Sequence, residues 1–519
     1  MSHIEKEDSP PAGFRILDLF AGPGGLDVAA DVLGHQVTGI EWDAGACATR
    51  SMAGMDTFRG DVRKYRAAFF PHAEVLTGGP PCQTFTVAGH GAGRRALDDV
   101  IRYIERLHQA VRPENDHDWK HIFRTWRKIS EELRLSALEA KEVKAEKREV
   151  DKLRGTTRKA VKSRLEQLGN SADEVTIFLK KLKAPQDLDV SDEEINGLLK
   201  QLGDLNDQLD KLKAKLEELG DERTGLVLQP LWWVIERSKR PGSKPYEAVV
   251  LEQVPAVMPV WREYAHVLAS LGYRTKRQWM HTEAFGVPQT RRRAVLMARF
   301  DRTAQENGLH PGLLTGVRET HARYQPGARP SPSPNAGYAD TLPVVPSKKD
   351  EEEIPKEPWV SMRKALEGAR EISPKKVCDR PAFTVISNYG TGGDPEARGR
   401  RDHDVPSATI TGKVSRNRVV EKDTGEDLDR FSHAEAGVLQ TFPVAYPWTG
   451  NDISQQIGNA VPPRLALHVL RHVLGPELGR KEAKAGLDRA AADLEVWKPG
   501  VPVEIREHGE WKGHPLTGR

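Results

Sequence analysis

Apolar and polar positions alternate in two rhythms over the first hundred residues. A short apolar run, FRILDLF (14–20), leads into a glycine cluster and then a helical pattern in LDVAADVLG. HQVTGIEW (35–42) and EVLTGGPP (74–81) are further strand-like runs. Short strands separated by helical stretches predict a doubly wound α/β sheet. The same rhythm returns after residue 220. LVLQPLWWVIERS reads as helix, YEAVVLEQV (246–254) and AVLMARF (294–300) as strands, and SQQIGNAVPPRLALHVLRHVL as a loop entering a helix.

Between these halves the periodicity changes. Ile122, Trp126, Ile129, Leu133, Ser136, Ala140 and Val143 follow 4-3 spacing, and Ile195, Leu198, Leu202, Leu205, Leu209, Leu212, Leu216 and Leu219 follow 3-4 spacing. Two such runs predict an antiparallel coiled-coil hairpin inserted at 113–220, with its tip over 155–190 and a capping box at Ser191 and Glu194. A helix of about 30 residues is roughly 45 Å long. Residues 141–183 hold 13 Lys or Arg against 7 Asp or Glu. That excess fits a basic tip that touches DNA backbone or a partner subunit, and fits equally a solvated arm with no energetic role. Residues 301–375 are Pro-rich and irregular, and DRPAFTVI (379–386) and DVPSATIT (404–411) echo each other.

Composition narrows the class without fixing the function. The 519 residues allow two or three domains, and charged residues make up 29% with a mean hydropathy of -0.58. No run approaches the roughly 18 apolar residues of a membrane helix, and MSHIEKEDSPPAG lacks the apolar stretch of a secretory signal. A cytoplasmic protein without membrane contact is therefore expected. Cys47, Cys82 and Cys378 are far apart, which argues against a disulfide framework or a structural metal, and no metal is expected. A net charge of +3 neither requires nor excludes nucleic acid.

Candidate chemistry begins at Phe20-Ala21-Gly22-Pro23-Gly24-Gly25, which follows a strand and opens a helix at Leu26. Glycines let the backbone approach a ligand, and a helix N-terminus favours negative groups. Glu41, nineteen residues past Gly22, closes the next strand, where an acid accepts hydrogen bonds from ribose hydroxyls. Trp42 is placed to stack on an adenine, and Asp61 with its neighbour Val62 to meet the base edge. The bland reading is a structural turn beside a surface acid. The combination favours a nucleoside, without separating a dinucleotide from S-adenosylmethionine.

Thr77-Gly78-Gly79-Pro80-Pro81-Cys82-Gln83 follows a strand. A lone Cys is usually a small buried hydrophobe, but Pro-Pro-Cys-Gln is poor core sequence, and a thiol on a rigid loop beside a cofactor cleft is a nucleophile candidate. Phe20-x-Gly22-x-Gly24, Pro80-Pro81-Cys82-Gln83, Glu252 in Leu251-Glu252-Gln253-Val254, Gln289-x-Arg291-x-Arg293 and Gly458-Asn459-Ala460-Val461-Pro462-Pro463 occur in that order. Together they resemble the DNA (cytosine-5) methyltransferase family over roughly residues 14–112, 221–300 and 378–475.

The resemblance implies a Rossmann-like S-adenosylmethionine-dependent core, and methyl transfer to carbon 5 of a flipped cytosine in double-stranded DNA. It implies that Cys82 adds to carbon 6, that Glu252 serves ring nitrogen 3, and that Arg293 holds the cytosine carbonyl. Arg291 would support the catalytic loop or phosphates, and Gln289 would brace the same network. Phe20, Gly22, Gly24, Leu26, Glu41, Trp42, Asp61, Val62, Pro80, Asn459 and Ala460 would line the cofactor site. The family usually has Glu-Asn-Val where this chain has Glu252-Gln253-Val254, so the acid is kept and the neighbouring amide contact differs.

The implied organisation is a polar tail (1–13), a core in two parts (14–112 and 221–300), and the hairpin between them. A target recognition domain follows over 301–378, with its edge and a core-completing segment over 379–475 and a second polar tail over 476–519. A cognate restriction endonuclease is a candidate partner. Exocyclic-amine methyltransferases carry an aromatic after Pro-Pro and need no thiol, so Cys82 disfavours them. RNA cytosine-5 methyltransferases of the family usually carry Cys-Phe-Thr, whereas Cys378 is followed by Asp379. A catalytically silent DNA-binding scaffold has no need of Cys82, Glu252 and Arg293 together.

Overall fold

The computed structural model describes residues 13–81, 91–115, 118–167, 193–219, 224–325, 354–387, 399–476, 479–507 and 509. They divide into two compact units, one formed by residues up to 82, 104–122 and 226 onward, the other by 83–103 and 123–225.

In the first unit the strands are β1 (Arg15–Leu19), β2 (Gln36–Glu41), β3 (Asp56–Arg59), β4 (Val75–Gly78), β5 (Ala248–Gln253), β6 (Tyr273–His281), β7 (Gln289–Thr290), β8 (Arg292–Phe300), β9 (Phe383–Ile386), β10 (Arg400–Asp402), β11 (Ser407–Ala408), β12 (Arg418–Glu421), β13 (Asp427–Leu428) and β14 (Arg506–Glu507). Eight form one sheet in the order β14-β3-β2-β1-β4-β5-β8-β6. Only β8 runs against its neighbours. Strand order reverses between β1 and β4, and in open α/β sheets the crevice at such a point takes the ligand.

The helices α1 (Gly25–Val32), α2 (Ala44–Met52) and α3 (Gly91–Val111) belong to the first part of the chain, followed by α4 (Trp119–Gln167), α5 (Glu193–Leu219), α6 (Gln229–Lys239), α7 (Met258–Ser270), α8 (Met362–Ile372), α9 (His433–Leu439), α10 (Ile453–Asn459), α11 (Pro463–Leu474) and α12 (Arg480–Glu495). Chain ends meet in the core: Leu465, Leu467 and Leu470 of α11 pack with Ile16, Val75 and Val250 of the sheet. The segment after Asn459-Ala460 therefore completes the core formed by the first eighty residues.

A second sheet, β10-β9-β12-β13, is antiparallel throughout. Phe383, Val385 and Val419 pack there against Met362 and Leu366 of α8. It spans 383–428, largely after the 301–378 stretch that the sequence marks out by its prolines. The two echoing segments diverge in structure. DRPAFTVI supplies β9, an inner strand of the small sheet, whereas DVPSATIT supplies β11, paired in parallel with β7. Both are short β-branched runs, and the backbone already lying alongside each decided its pairing.

Within the expected C-terminal tail, residues 479–507 fold onto the first unit. Its helix α12 buries Ala490, Ala491 and Leu494, and β14 extends the main sheet beside β3. Only a few apolar positions carry that docking, so the polar sequence around them hides it.

In the second unit α4 and α5 pair antiparallel. Lys215 meets Glu139 at 3.0 Å near one end, and Arg164 meets Glu194 at 3.3 Å at the other. Val143, Val150, Leu205, Leu209 and Leu212 form one part of the seam, and Val161, Leu165, Ile195 and Leu199 the next. Helix α4 runs on to Gln167, past the predicted start of the tip at 155; Ser191 of the predicted capping box lies outside the described residues. Among the described residues no helix is long and apolar enough to cross a membrane.

Buried charge underlies the crevice. Arg50 forms a bidentate pair with Asp27 at 2.6 and 2.9 Å and donates to Thr57. Asp18 on β1 accepts from Thr77 of β4 at 2.7 Å. Burial, with the negative Asp27 nearby, pushes the Asp18 carboxyl up to about 7 from 3.8. An unfolded chain gives up this proton near pH 4 while the folded one keeps it to about 7. The stability so held is complete below pH 4 and falls as pH rises to 7, by at most about 1.4 kcal/mol per pH unit. Asp18→Asn is therefore expected to melt above the wild type at pH 7.5, and the two midpoints to converge at pH 4.5. A pH-independent difference would show that Asp18 holds no proton.

Candidate active site

The turn after β1 uses three left-handed conformations at alternate residues. Phe20 sits at φ 60°, Gly22 at 56° and Gly24 at 98°. A left-handed Phe is strained, and such residues persist where surrounding structure fixes them, often at functional sites. Gly24 has no room for a side chain, which would collide with Met55, and one at Gly25 would collide with the carbonyl of Val461. At Gly22 the space is open. Packing thus clamps the lower side of the turn and leaves the side facing the crevice bare. Tyr446 adds a clamp by donating its hydroxyl to the carbonyl of Pro23.

Glu41 ends β2 beside this turn. Its carboxylate accepts from the N–H groups of Gly22 at 2.7 Å, Trp42 at 2.8 Å and Asp43 at 2.7 Å. Burial raises its pKa against the pull of those three donors. Two carboxylate oxygens offer about four acceptor positions, so capacity remains for a ligand hydroxyl. Trp42 is 68% exposed, leaving its ring face available for stacking. Asp61 follows β3, and its carboxylate is engaged by Arg63 at 2.6 Å. Burial alone would raise Asp61, but the Arg63 hydrogen bonds outweigh it and hold the carboxyl below its ordinary value. Val62 and Leu26 are buried behind these groups. Left-handed backbone with open space above it, two carboxylates and an exposed indole at adjacent strand ends fit a nucleoside cofactor.

The second cluster lies at the ends of β4 and β5. The Glu252 carboxylate is 2.6 Å from Nε of Arg293, with both side chains largely buried. A side chain at Gly79 would stand 3.8 Å from that carboxylate. Gln253 donates to the carbonyl of the buried Pro80, while its own oxygen accepts from the N–H of Val254. The residue that departs from the family pattern therefore ties β5 to Pro80, just after β4. Cys82 itself lies outside the described residues. Of the other cysteines, Cys47 is buried and its thiol is pushed up to about 12 by that burial, far from a reactive thiolate, and Cys378 is exposed.

Gln289 and Arg291 form a third, fully interior group. Arg291 donates to the carbonyls of Ile410 at 3.0 Å and Gly458 at 2.9 Å. Burial pulls its pKa well down, with the neighbouring Arg293 acting in the same sense. A guanidinium at 2% exposure and spent on carbonyls braces loops and leaves no face for a phosphate. Gln289 accepts from the N–H of Ile410 and donates to Gln440, which in turn donates to the carbonyls of Ile457 and Ala460. Gln440 was not singled out from sequence; the only signal is a polar residue ending an apolar helix. Ala460 is buried, whereas Asn459 is exposed and accepts from Gln455 at 2.8 Å.

Residues 14–115 and 243–474, well over half of the chain, match the family model described as C-5 cytosine-specific DNA methylase. The chain belongs to this family. It is 34% identical over 91 residues to the type II methyltransferase M.HhaI of Haemophilus parahaemolyticus, covering 17% of this chain and 28% of that protein. It is 37% identical over 117 residues to M.HpaII of Haemophilus parainfluenzae, covering 21% and 33%. The chain thus spans about a third or less of the length of these relatives. Among solved structures, the S. pombe Dnmt2 methyltransferase aligns over 89% of this chain and 99% of its own at 12% identity and a TM-score of 0.42. Among the described residues no cluster of His, Cys, Asp or Glu has the makings of a metal site.

Gly22→Ala is expected to weaken S-adenosylmethionine binding about tenfold by calorimetry, since its methyl enters the open side of the turn and a loss of about 1.4 kcal/mol is tenfold in affinity. Unchanged affinity would remove Gly22 from the cofactor site.

Proposed function

We propose that the chain is a DNA cytosine-5 methyltransferase that works through a Cys82 adduct on a flipped-out base. The observation that carries this is the Glu252–Arg293 pair standing beside Gly79 and Pro80, at the root of the loop that ends in Cys82. Carbon 5 of cytosine is a weak nucleophile, and addition of the Cys82 thiolate to carbon 6 makes it enamine-like. Glu252, at the end of β5, is positioned by Arg293 to protonate or hydrogen-bond ring nitrogen 3 as negative charge builds there. Arg293 would hold the cytosine carbonyl. Gln253 fixes the height of the loop carrying Cys82, and Gln289, Arg291 and Gln440 hold the opposite wall.

S-adenosylmethionine, when bound, supplies an electrophilic methyl group. Gly22, Glu41, Trp42, Asp61 and Val62 would hold its nucleoside, with Asn459 and Ala460 toward its other end. A base stacked in a duplex cannot reach groups so deeply set, which requires flipping. The segment 301–378 with the adjoining small sheet is the candidate target recognition domain. The named relatives are type II methyltransferases, which supports a role beside a cognate restriction endonuclease.

Bisulfite sequencing of a plasmid from a methylation-free host should show protected cytosines at one short motif with the wild type and none with Cys82→Ser. Absence of protection with soluble, cofactor-binding wild type would overturn the DNA reading. Gln253→Ala should lower kcat by about tenfold or more while leaving S-adenosylmethionine affinity unchanged, because a lost loop tether of about 1–3 kcal/mol acts on nucleophile position. An unaltered kcat would show that the Pro80 contact does not position the loop.

A further inference from the structure

On helix α4 the seam residues Ala140, Val143, Val150, Thr157 and Val161 are buried, and the opposite face carries something other than a mixed solvated surface. Lys141, Lys144, Arg148, Lys152, Lys159 and Lys162 are all exposed. Their spacing of 3, 4, 4, 7 and 3 places them on one line at 3.6 residues per turn. Lys162 has a carboxylate 3.7 Å away, that of Glu166; the other five make no ion pair with the described residues. The partner helix has the opposite balance. Residues 141–167 carry ten Lys or Arg against five Asp or Glu, whereas 193–219 carry seven Asp or Glu against four Lys. Both helices carry both signs, but the balance is tilted in opposite senses, and on α4 the excess is gathered into one line.

We infer that the outer face of α4 is a second DNA-contact surface, engaging the phosphate backbone of duplex DNA without reading sequence. From Lys141 to Lys162 the line is about 31 Å long at 1.5 Å per residue. That covers about one turn of duplex DNA, so the line faces the phosphates that both strands present on one side. Gly155 fills the one gap in the line, with open space around it. Glycine inside an exposed helix costs about 1 kcal/mol relative to alanine, and there it leaves room for a backbone to come close. Long, flexible cations bind phosphate as point charges, which gives affinity and salt dependence but no base code. The choice of DNA over another polyanion rests on the proposed methyltransferase reading. On that reading, the surface raises residence on long DNA and leaves target choice to the other domain.

The test uses the full chain and a variant in which the six cations become Gln, a helix-tolerant change on a solvent face. The affinity for a ~40-base-pair duplex is measured against salt, with plasmid methylation followed by bisulfite sequencing at low salt. The slope of log affinity against log salt should fall by about five, at about 0.9 for each of six lost phosphate contacts, and binding near 0.1 M salt should weaken at least tenfold. Plasmid methylation at low salt should persist, and D204N/D207N on α5 should leave the slope at or above the wild-type value. An unchanged slope with methylation retained overturns the DNA-contact surface while sparing the methyltransferase reading. A reduced slope with no methylation by the wild type does the reverse. Loss of self-association in sedimentation, with the slope unchanged, would assign the line to the acidic helix of a second copy and overturn the proposal as well.

Discussion

The buried guanidinium of Arg291 ties together three carbonyls that are distant in the chain, and the way it does so organises the site. It spends its donors on the carbonyls of Ile410, Gly458 and Ala460, groups separated from it by more than a hundred residues of chain. Gln289 and Gln440 complete the lattice from either side. Each member alone would be an expensive buried polar group; together they satisfy most of one another's capacity, with only Nε of Arg291 lacking a partner among the described residues of the group. The result fixes where the C-terminal loop crosses the glycine turn, because Val461 sits against Gly25 only if Ala460 is held.

From that constraint the two halves of the crevice follow. On one side the turn after β1 is clamped from below by Met55, Tyr446 and Val461, so its bare face points into the crevice. On the other, β4 and β5 run in parallel register, Gly78 beside Leu251, which brings Gly79 next to Glu252 and Pro80 within reach of Gln253. A parallel sheet with a reversal in strand order brings these ends together without dedicated loops. The antiparallel β8 then delivers Arg293 to the Glu252 carboxylate.

The inserted hairpin obeys a simpler logic. It buries a narrow seam, needs little from the rest of the chain to specify its pairing, and leaves most of its surface open to carry charge. The line of cations on α4 lies away from the apolar seam, so such a surface can be shaped for a polyanion at little expense in stability.

Much of this was legible from residues alone. Strand and helix rhythm gave the α/β core, and 3-4 spacing gave the two long helices, because periodicity is a property of local sequence. The glycine turn, Glu41, Glu252 and the Gln-x-Arg-x-Arg register were visible as well, since each is a polar or flexible residue placed where core sequence would not put one. The pairing of β11 with β7, the docking of α12 and β14, the reach of Gln253 to Pro80 and the role of Gln440 were not. Each depends on which distant backbone lies alongside, and hydrogen bonds across hundreds of residues leave no periodic trace. Local chemistry was written in the sequence, whereas the company each residue keeps was decided by burial and by the need to satisfy every polar group that burial encloses.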